Sequence, residues 1–239
     1  ASGLIELQKK LRAEAGEFLT AMEFFSDIGL GIALEKIPGL TFPLHSRAPF
    51  YLLLEAESGS TQVPLDSILS ELMEIAMSEN IIVDGTLAQS KAQRAAFWRL
   101  REEQPEGQRR VGAQLKHDIS IPPGSLGEFL RIADEQCFEL LGGVRINAFG
   151  HLGDGNVHYN LTPPIGQKDF SGLEREFAEA IARLANSMKG SFAAEHGLGR
   201  AKTMLADILR DPVERNLMAL IKKSLDQNEI LNPDILVSI

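Results

Sequence analysis

The chain has a single cysteine, Cys137. One thiol cannot close an internal disulfide, so no disulfide framework holds this fold, and cysteine usage gives no sign of an oxidising compartment. Cys137 falls in an apolar helical pattern and is expected in the core. No apolar run is long enough to span a bilayer, and residues 1–12 lack the hydrophobic stretch of a signal peptide. Low-complexity tracts and clear short repeats are also absent. Positive charge is in short supply, with 24 Lys and Arg against 33 Asp and Glu. The resulting net charge of -9 argues against non-specific nucleic-acid binding but leaves room for a local basic pocket.

Apolar material is plentiful. Hydrophobic residues make up 44% of 239, enough for a sizeable core in one large or two small domains. The densest chemistry lies at 150–160, GHLGDGNVHYN, which holds two histidines, two asparagines and an aspartate among three glycines. The flanking runs alternate apolar and polar residues around a Gly-Asp-Gly turn, so the stretch reads as a β-hairpin. A period of two puts Val144, Ile146, Ala148, Val157, Tyr159 and Leu161 on a core face. Arg145, Asn147, His151, Asn156, His158 and Asn160 take the other face, and Asp154 is a turn residue.

Around the hairpin the second half reads strand 114–119, helix 126–141, hairpin, helix 172–188, strand 191–194. That β-α-β-β-α-β order is the split-βαβ, ferredoxin-like unit. The expected fold class is α+β: an antiparallel sheet with helices on one face, followed by a C-terminal helical segment. The opposite face, which carries His151 and His158, must then be solvated or covered by something else. The first half reads helix 4–15 with Ser2 as a cap, strand 18–25, helix 27–36, loop 37–49, strand 50–57, helix 66–78, short strand 81–83 and helix 89–103. Pro105-Glu106-Gly107 interrupts that last helix. Near the end, Asp211 caps a helix whose first position is Pro212, and Leu217, Leu220, Ile221 and Leu225 are expected to form its buried stripe. The domain reading is 1–200 for the sheet unit and 201–239 for the C-terminal helical segment.

Two histidines beside a tight turn are ordinary hydrogen-bonding residues in the bland reading. In the sharper one they ligate zinc, manganese or iron. Ala194-Glu195-His196-Gly197 favours the second by adding a carboxylate. Two His and one carboxylate make a common open metal site, and the spare His196 is a natural proton acceptor. Lys116 is a solvated sheet lysine unless the polar face is a site, in which case it becomes an anion clamp. His117 has core parity, and Arg101–Glu102 is most simply a surface ion pair of little energetic worth.

Five blocks occur in an order that resembles one family: 98–103 (WRLREE), 116–120 (KHDIS), the hairpin, 194–200 (AEHGLGR) and 230–233 (ILNP). They are similar to the C-terminal domain of FAD-linked oxidases of the vanillyl-alcohol-oxidase superfamily, in particular the D-2-hydroxyacid dehydrogenases. That group includes D-lactate and D-2-hydroxyglutarate dehydrogenases and the glycolate oxidase flavin subunit. The resemblance implies that His151, His158 and Glu195 hold zinc or manganese and that His196 is the general base. It also implies that Arg101, Lys116 and Asn156 bind substrate and that Asn232 lies near the flavin. Pro105 stands where some members of 2-hydroxyglutarate type place a substrate-binding threonine.

The implied reaction is oxidation of a D-2-hydroxy acid to the 2-oxo acid, with D-2-hydroxyglutarate or D-malate favoured and D-lactate the alternative. FAD would be bound mainly by an N-terminal domain in cis that has no counterpart here, so the chain is expected to be part of a longer flavoenzyme. A homodimer and an electron acceptor (flavoprotein, cytochrome or quinone) are the expected partners. The expected location is cytoplasmic or peripheral to the inner membrane. Two other classes stay open: a metal-dependent hydrolase using the same three ligands, and a non-catalytic ferredoxin-like binding module.

Overall fold

The computed structural model describes residues 1–237. In chain order its elements are α1 (Ser2–Ala15), β1 (Leu19–Ser26), α2 (Asp27–Lys36), β2 (Phe50–Ala56), α3 (Leu65–Ser78), α4 (Lys91–Glu102), α5 (Gln104–Val111) and β3 (Asp118–Ser120), then α6 (Leu126–Leu140), β4 (Arg145–His151), β5 (Asn156–Thr162), α7 (Glu174–Ser187), α8 (Thr203–Leu209) and α9 (Pro212–Leu225). All strands join one antiparallel sheet in the order β2-β1-β4-β5-β3.

The split unit is present. Strand β5 lies between β4 and β3, and the expected strand at 191–194 is reduced to a single bridge, Ser120 to Ser191. Strand β3 is shorter than expected, with Leu115 bridging Leu161 ahead of it. The first half supplies β1 and β2, which extend the sheet beyond β4. No strand forms at 81–83, where the chain instead closes the end of α3 through bonds from Ile81 and Ile82 to Ala76 O.

Period two sorts the sheet as expected. Met22 and Phe24 of β1, Ile146 and Ala148 of β4, and Val157, Tyr159 and Leu161 of β5 pack against Leu4 and Leu11 of α1, Phe129, Leu130 and Cys137 of α6, and Phe177 and Ile181 of α7. The other face is not bare, which corrects the expectation of helices on one face only. Phe25, Tyr51 and Phe149 on that face pack with Leu30 of α2 and Leu100 of α4. The cause is the first half: adding β1 and β2 to the edge of β4 creates a second apolar patch, and α2, α4 and α5 cover it. Gly107 lets α5 approach α2 closely, since a Cβ there would lie 2.9 Å from Ala33 Cα.

Helix ends follow local chemistry. Ser26 Oγ accepts from Gly29 N–H to start α2, and Ser90 Oγ accepts from Gln93 N–H to start α4. Asp211 caps α9 through Val213 N–H at 2.7 Å, with Pro212 as its first residue. Helix α1 begins at Ser2 itself, so Ser2 is not its cap. Pro105 ends α4 by opening α5 rather than a loop. The apolar stripe of α9 is exposed rather than buried, with Leu225 78% accessible and Leu217, Leu220 and Ile221 above half. Among the described residues no helix is long and apolar enough to cross a membrane.

Candidate metal and substrate site

The hairpin turn sets the site. Asp154 Oδ1 accepts from Asn156 N–H at 3.0 Å, closing a local turn. Gly155 has φ +78, and a Cβ there would meet Ile121 O at 1.9 Å, so only glycine fits. The register pairs His151 with Asn156 and Phe149 with His158, which puts both imidazoles on one face. Their ring centroids are 6.4 Å apart.

Glu195 comes to them from the loop after α7. His151 Nε2 lies 3.5 Å from Glu195 Oε1, and His158 Nε2 lies 3.9 Å from Glu195 Oε2. One ligand atom from each of the three lies within 4.8 Å of the other two. Donors on a tetrahedral ion with bonds of about 2 Å sit about 3.3 Å apart, so the set fits a divalent ion with a small inward closure. Burial holds His158 below the usual imidazole range, against the pull of Asp118, and so keeps its lone pair free.

Sequence reasoning missed the residue that delivers Glu195. Asp118 of β3 is 3% exposed and accepts from both Glu195 N–H (2.8 Å) and His196 N–H (2.7 Å) through Oδ2. Its Oδ1 accepts from Asn156 Nδ2 at 3.1 Å. Burial pushes this carboxyl up, but the His196 amide, Asn156 and the Glu195 amide bring it below the usual carboxylate range. Lys202 braces the same loop by donating to Phe192 O at 2.8 Å and Asp118 O at 3.3 Å. The available signal was parity, since Asp118 shares the face of His158 across the β3–β5 pair.

His196 is exposed, with its ring stacked on His158 at 5.9 Å and Nδ1 3.7 Å from Asp118 Oδ2. Nε2 is then its free nitrogen. Arg101 is not in a surface pair with Glu102. Its Nε donates to Glu23 Oε2 at 2.7 Å, its side chain is 12% exposed, and its guanidinium lies 4.5 Å over the Phe149 ring. Glu23, the one charged residue of β1, also went unnoticed in the sequence. Lys116 is exposed, on the face of Asn160 and His158, and among the described residues it makes no ion pair. Asn156 is buried against Asp118, while Asn160 bonds Gln108 of α5 at 3.0 Å. His117 has its expected core parity and donates from Nδ1 to Tyr159 O at 2.8 Å. Asn232 is exposed in the 230–233 turn, which meets the AEHGLGR loop where Arg200 donates to Pro233 O at 3.1 Å.

Comparisons with known proteins fit this geometry. Two solved structures share the fold: p-cresol methylhydroxylase with substrate bound (TM-score 0.68, 13% identity, 100% of this chain and 51% of that one) and 4-ethylphenol oxidase from Gulosibacter chungangensis (TM-score 0.60, 12% identity, 97% and 50%). Among curated relatives, mitochondrial D-2-hydroxyglutarate dehydrogenases match over 96% of this chain, at 32% identity in Arabidopsis thaliana and 34% in Danio rerio. The Stutzerimonas stutzeri D-2-hydroxyglutarate dehydrogenase matches 90% at 33% identity. The chain spans 39%, 42% and 46% of those three proteins, under half of each. The family described as FAD linked oxidases, C-terminal domain, matches residues 7–235. Since that match takes in nearly the whole sheet and every candidate site residue, the chain belongs to the C-terminal domain family of the FAD-linked oxidases.

Proposed function

We propose that this chain is the substrate- and metal-binding part of an FAD-dependent enzyme that oxidises a D-2-hydroxy acid, with D-2-hydroxyglutarate or D-malate as substrate. The observation that carries the reading is convergence: His151, His158 and Glu195 surround one small space, with buried Arg101 on the Phe149 platform beside it. The names of the curated relatives favour the five-carbon dicarboxylate.

Flavin supplies the hydride acceptor for C2 of the acid. A divalent ion on the three ligands supplies Lewis acidity toward the 2-hydroxyl. The chain's own residues do the rest. Arg101 has its Nε committed to Glu23, which leaves two terminal nitrogens for a bidentate grip on a carboxylate. Lys116, free of protein partners among the described residues, serves the second carboxylate of a dicarboxylic acid. His196 takes the hydroxyl proton at Nε2, the nitrogen that faces away from Asp118. Asn156 acts through Asp118, which fixes the Glu195–His196 loop. The 230–233 turn with Asn232 and the exposed apolar stripe of α9 belong to the side on which the FAD-binding part of a longer chain seats.

Purified chain should retain close to one zinc or manganese by elemental analysis, and His158→Ala should lose most of it. Equal metal in the variant overturns the ligand set. The chain alone should be colourless and should not oxidise 2-hydroxy acids with an accepting dye. Joined to its FAD-binding part, it should turn over D-2-hydroxyglutarate or D-malate faster than D-lactate, and Lys116→Met should lower kcat/KM for the dicarboxylate tenfold or more. Preference for D-lactate replaces the dicarboxylate reading.

A further inference from the structure

We infer that Glu23 is a positioning residue that holds His151 in the tautomer a metal needs and holds Arg101 in register beside it. The inference rests on the metal reading above and deepens it. Glu23 sits on β1 directly opposite His151 of β4, on the site face of the sheet. It is 5% exposed, and both of its oxygens are engaged: Oε1 with His151 Nδ1 at 2.5 Å and Oε2 with Arg101 Nε at 2.7 Å. A buried charge of this kind persists only when paired, and Arg101 supplies the pair.

The consequence follows from the donor inventory. An ionised carboxylate only accepts, so His151 must carry its hydrogen on Nδ1. Its lone pair is then on Nε2, the nitrogen 3.5 Å from Glu195 Oε1 and within the three-ligand cluster. A carboxylate behind a ligating histidine also fixes the orientation of its ring. The same carboxylate sets Arg101, whose guanidinium covers Phe149, and the Phe149 ring lies 4.9 Å from His158. One side chain from the far half of the sequence thus spaces the metal position from the carboxylate grip.

Glu23→Gln separates orientation from simple charge balance. Arg101 Nε offers only a hydrogen, so the glutamine oxygen goes to it and the glutamine amide faces His151 Nδ1. The imidazole hydrogen then moves to Nε2, where it blocks a metal. Zinc affinity measured by chelator competition should fall 10- to 100-fold, the range for loss of such a partner. Nitrogen-15 NMR of the metal-free protein should show His151 protonated on Nδ1 in the parent and on Nε2 in Glu23→Gln.

A second variant, Glu23→Leu with Arg101→Met, removes both charges and keeps the volume. If Glu23 served only to neutralise Arg101, this variant would bind zinc like the parent, and that result overturns the inference. Weakening of tenfold or more with a mixed His151 tautomer supports it. If the parent itself binds no zinc, the metal reading falls, and the tautomer measurement still decides Glu23: the same tautomer in parent and Glu23→Gln overturns the inference.

Discussion

The two faces of this sheet are built by opposite rules. On one, Phe24, Tyr159 and Leu161 meet Phe129 and Phe177 in a continuous apolar core. On the other, an apolar patch of Phe25, Tyr51 and Phe149 adjoins Glu23, Asp118, Asn147, Asn156 and Asn160, which are nearly as inaccessible and all polar. The apolar face is held by area removed from water, at about 25 cal/mol per Å², and tolerates swaps of similar volume. The polar part of this second face is held by directed bonds: Asp118 alone accepts three N–H groups. The same strands carry both, because alternate residues point to opposite sides.

Breaking the apolar face should cost most. Phe129 is fully buried edge-on to Tyr159 at 5.7 Å, and Phe129→Ala should lower unfolding free energy by about 3–5 kcal/mol in denaturant titration. The surviving folded fraction should bind metal normally, since no site residue is touched.

A titratable group on the apolar parity gives a pH test. Burial pushes His117 down to about 4, while in an unfolded chain it titrates near 6.5. The unfolded chain therefore takes up the proton first. The contribution of His117 is complete above about pH 6.5 and drains away as pH falls toward 4, by at most about 3 kcal/mol since the residue is only half-buried. His117→Gln should flatten that stretch of the stability-against-pH curve. An unchanged slope would assign the loss to other groups.

On the polar face, Asp118→Ala strands two backbone N–H groups and should cost about 1–3 kcal/mol. Unlike the Phe129 change, it should also release Glu195 and weaken zinc binding in the protein that remains folded. Smallest of all, Leu220→Gln on the exposed stripe of α9 should shift stability by no more than about 0.5 kcal/mol. A loss of 2 kcal/mol or more there would mean that the stripe is covered in solution.

The hairpin, its facing and its two histidines were legible because a period of two is a local property, as were α2, β2, α3 and the Asp211 cap. Glu195 and His196 were legible as residue types. What brings them to the hairpin was not, since the Asp118 carboxylate works from 77 and 78 residues away. Glu23 stands 128 residues from His151 and is one carboxylate among many in the sequence. The covering of the second face was missed for a related reason: each half of the chain is self-consistent alone, and only their junction at β1 and β4 creates a patch that needs helices. Helix α8 follows a glycine-rich turn and is too short for a periodic signal. In α9 the stripe was correct as an amphipathic pattern, but periodicity states which residues share a face and never what lies against it.

Strand β2 ends the order of the sheet, and its outer row of amides and carbonyls meets no other described strand. Its segment Phe50-Tyr51-Leu52-Leu53-Leu54 is apolar throughout and carries no charge until Glu55. Such an edge is a template on which a second copy pairs strand to strand. Losses on concentration or refolding would begin there, and a lysine at Leu53 would blunt the edge at some cost to the second apolar patch, against which the half-buried Leu53 packs.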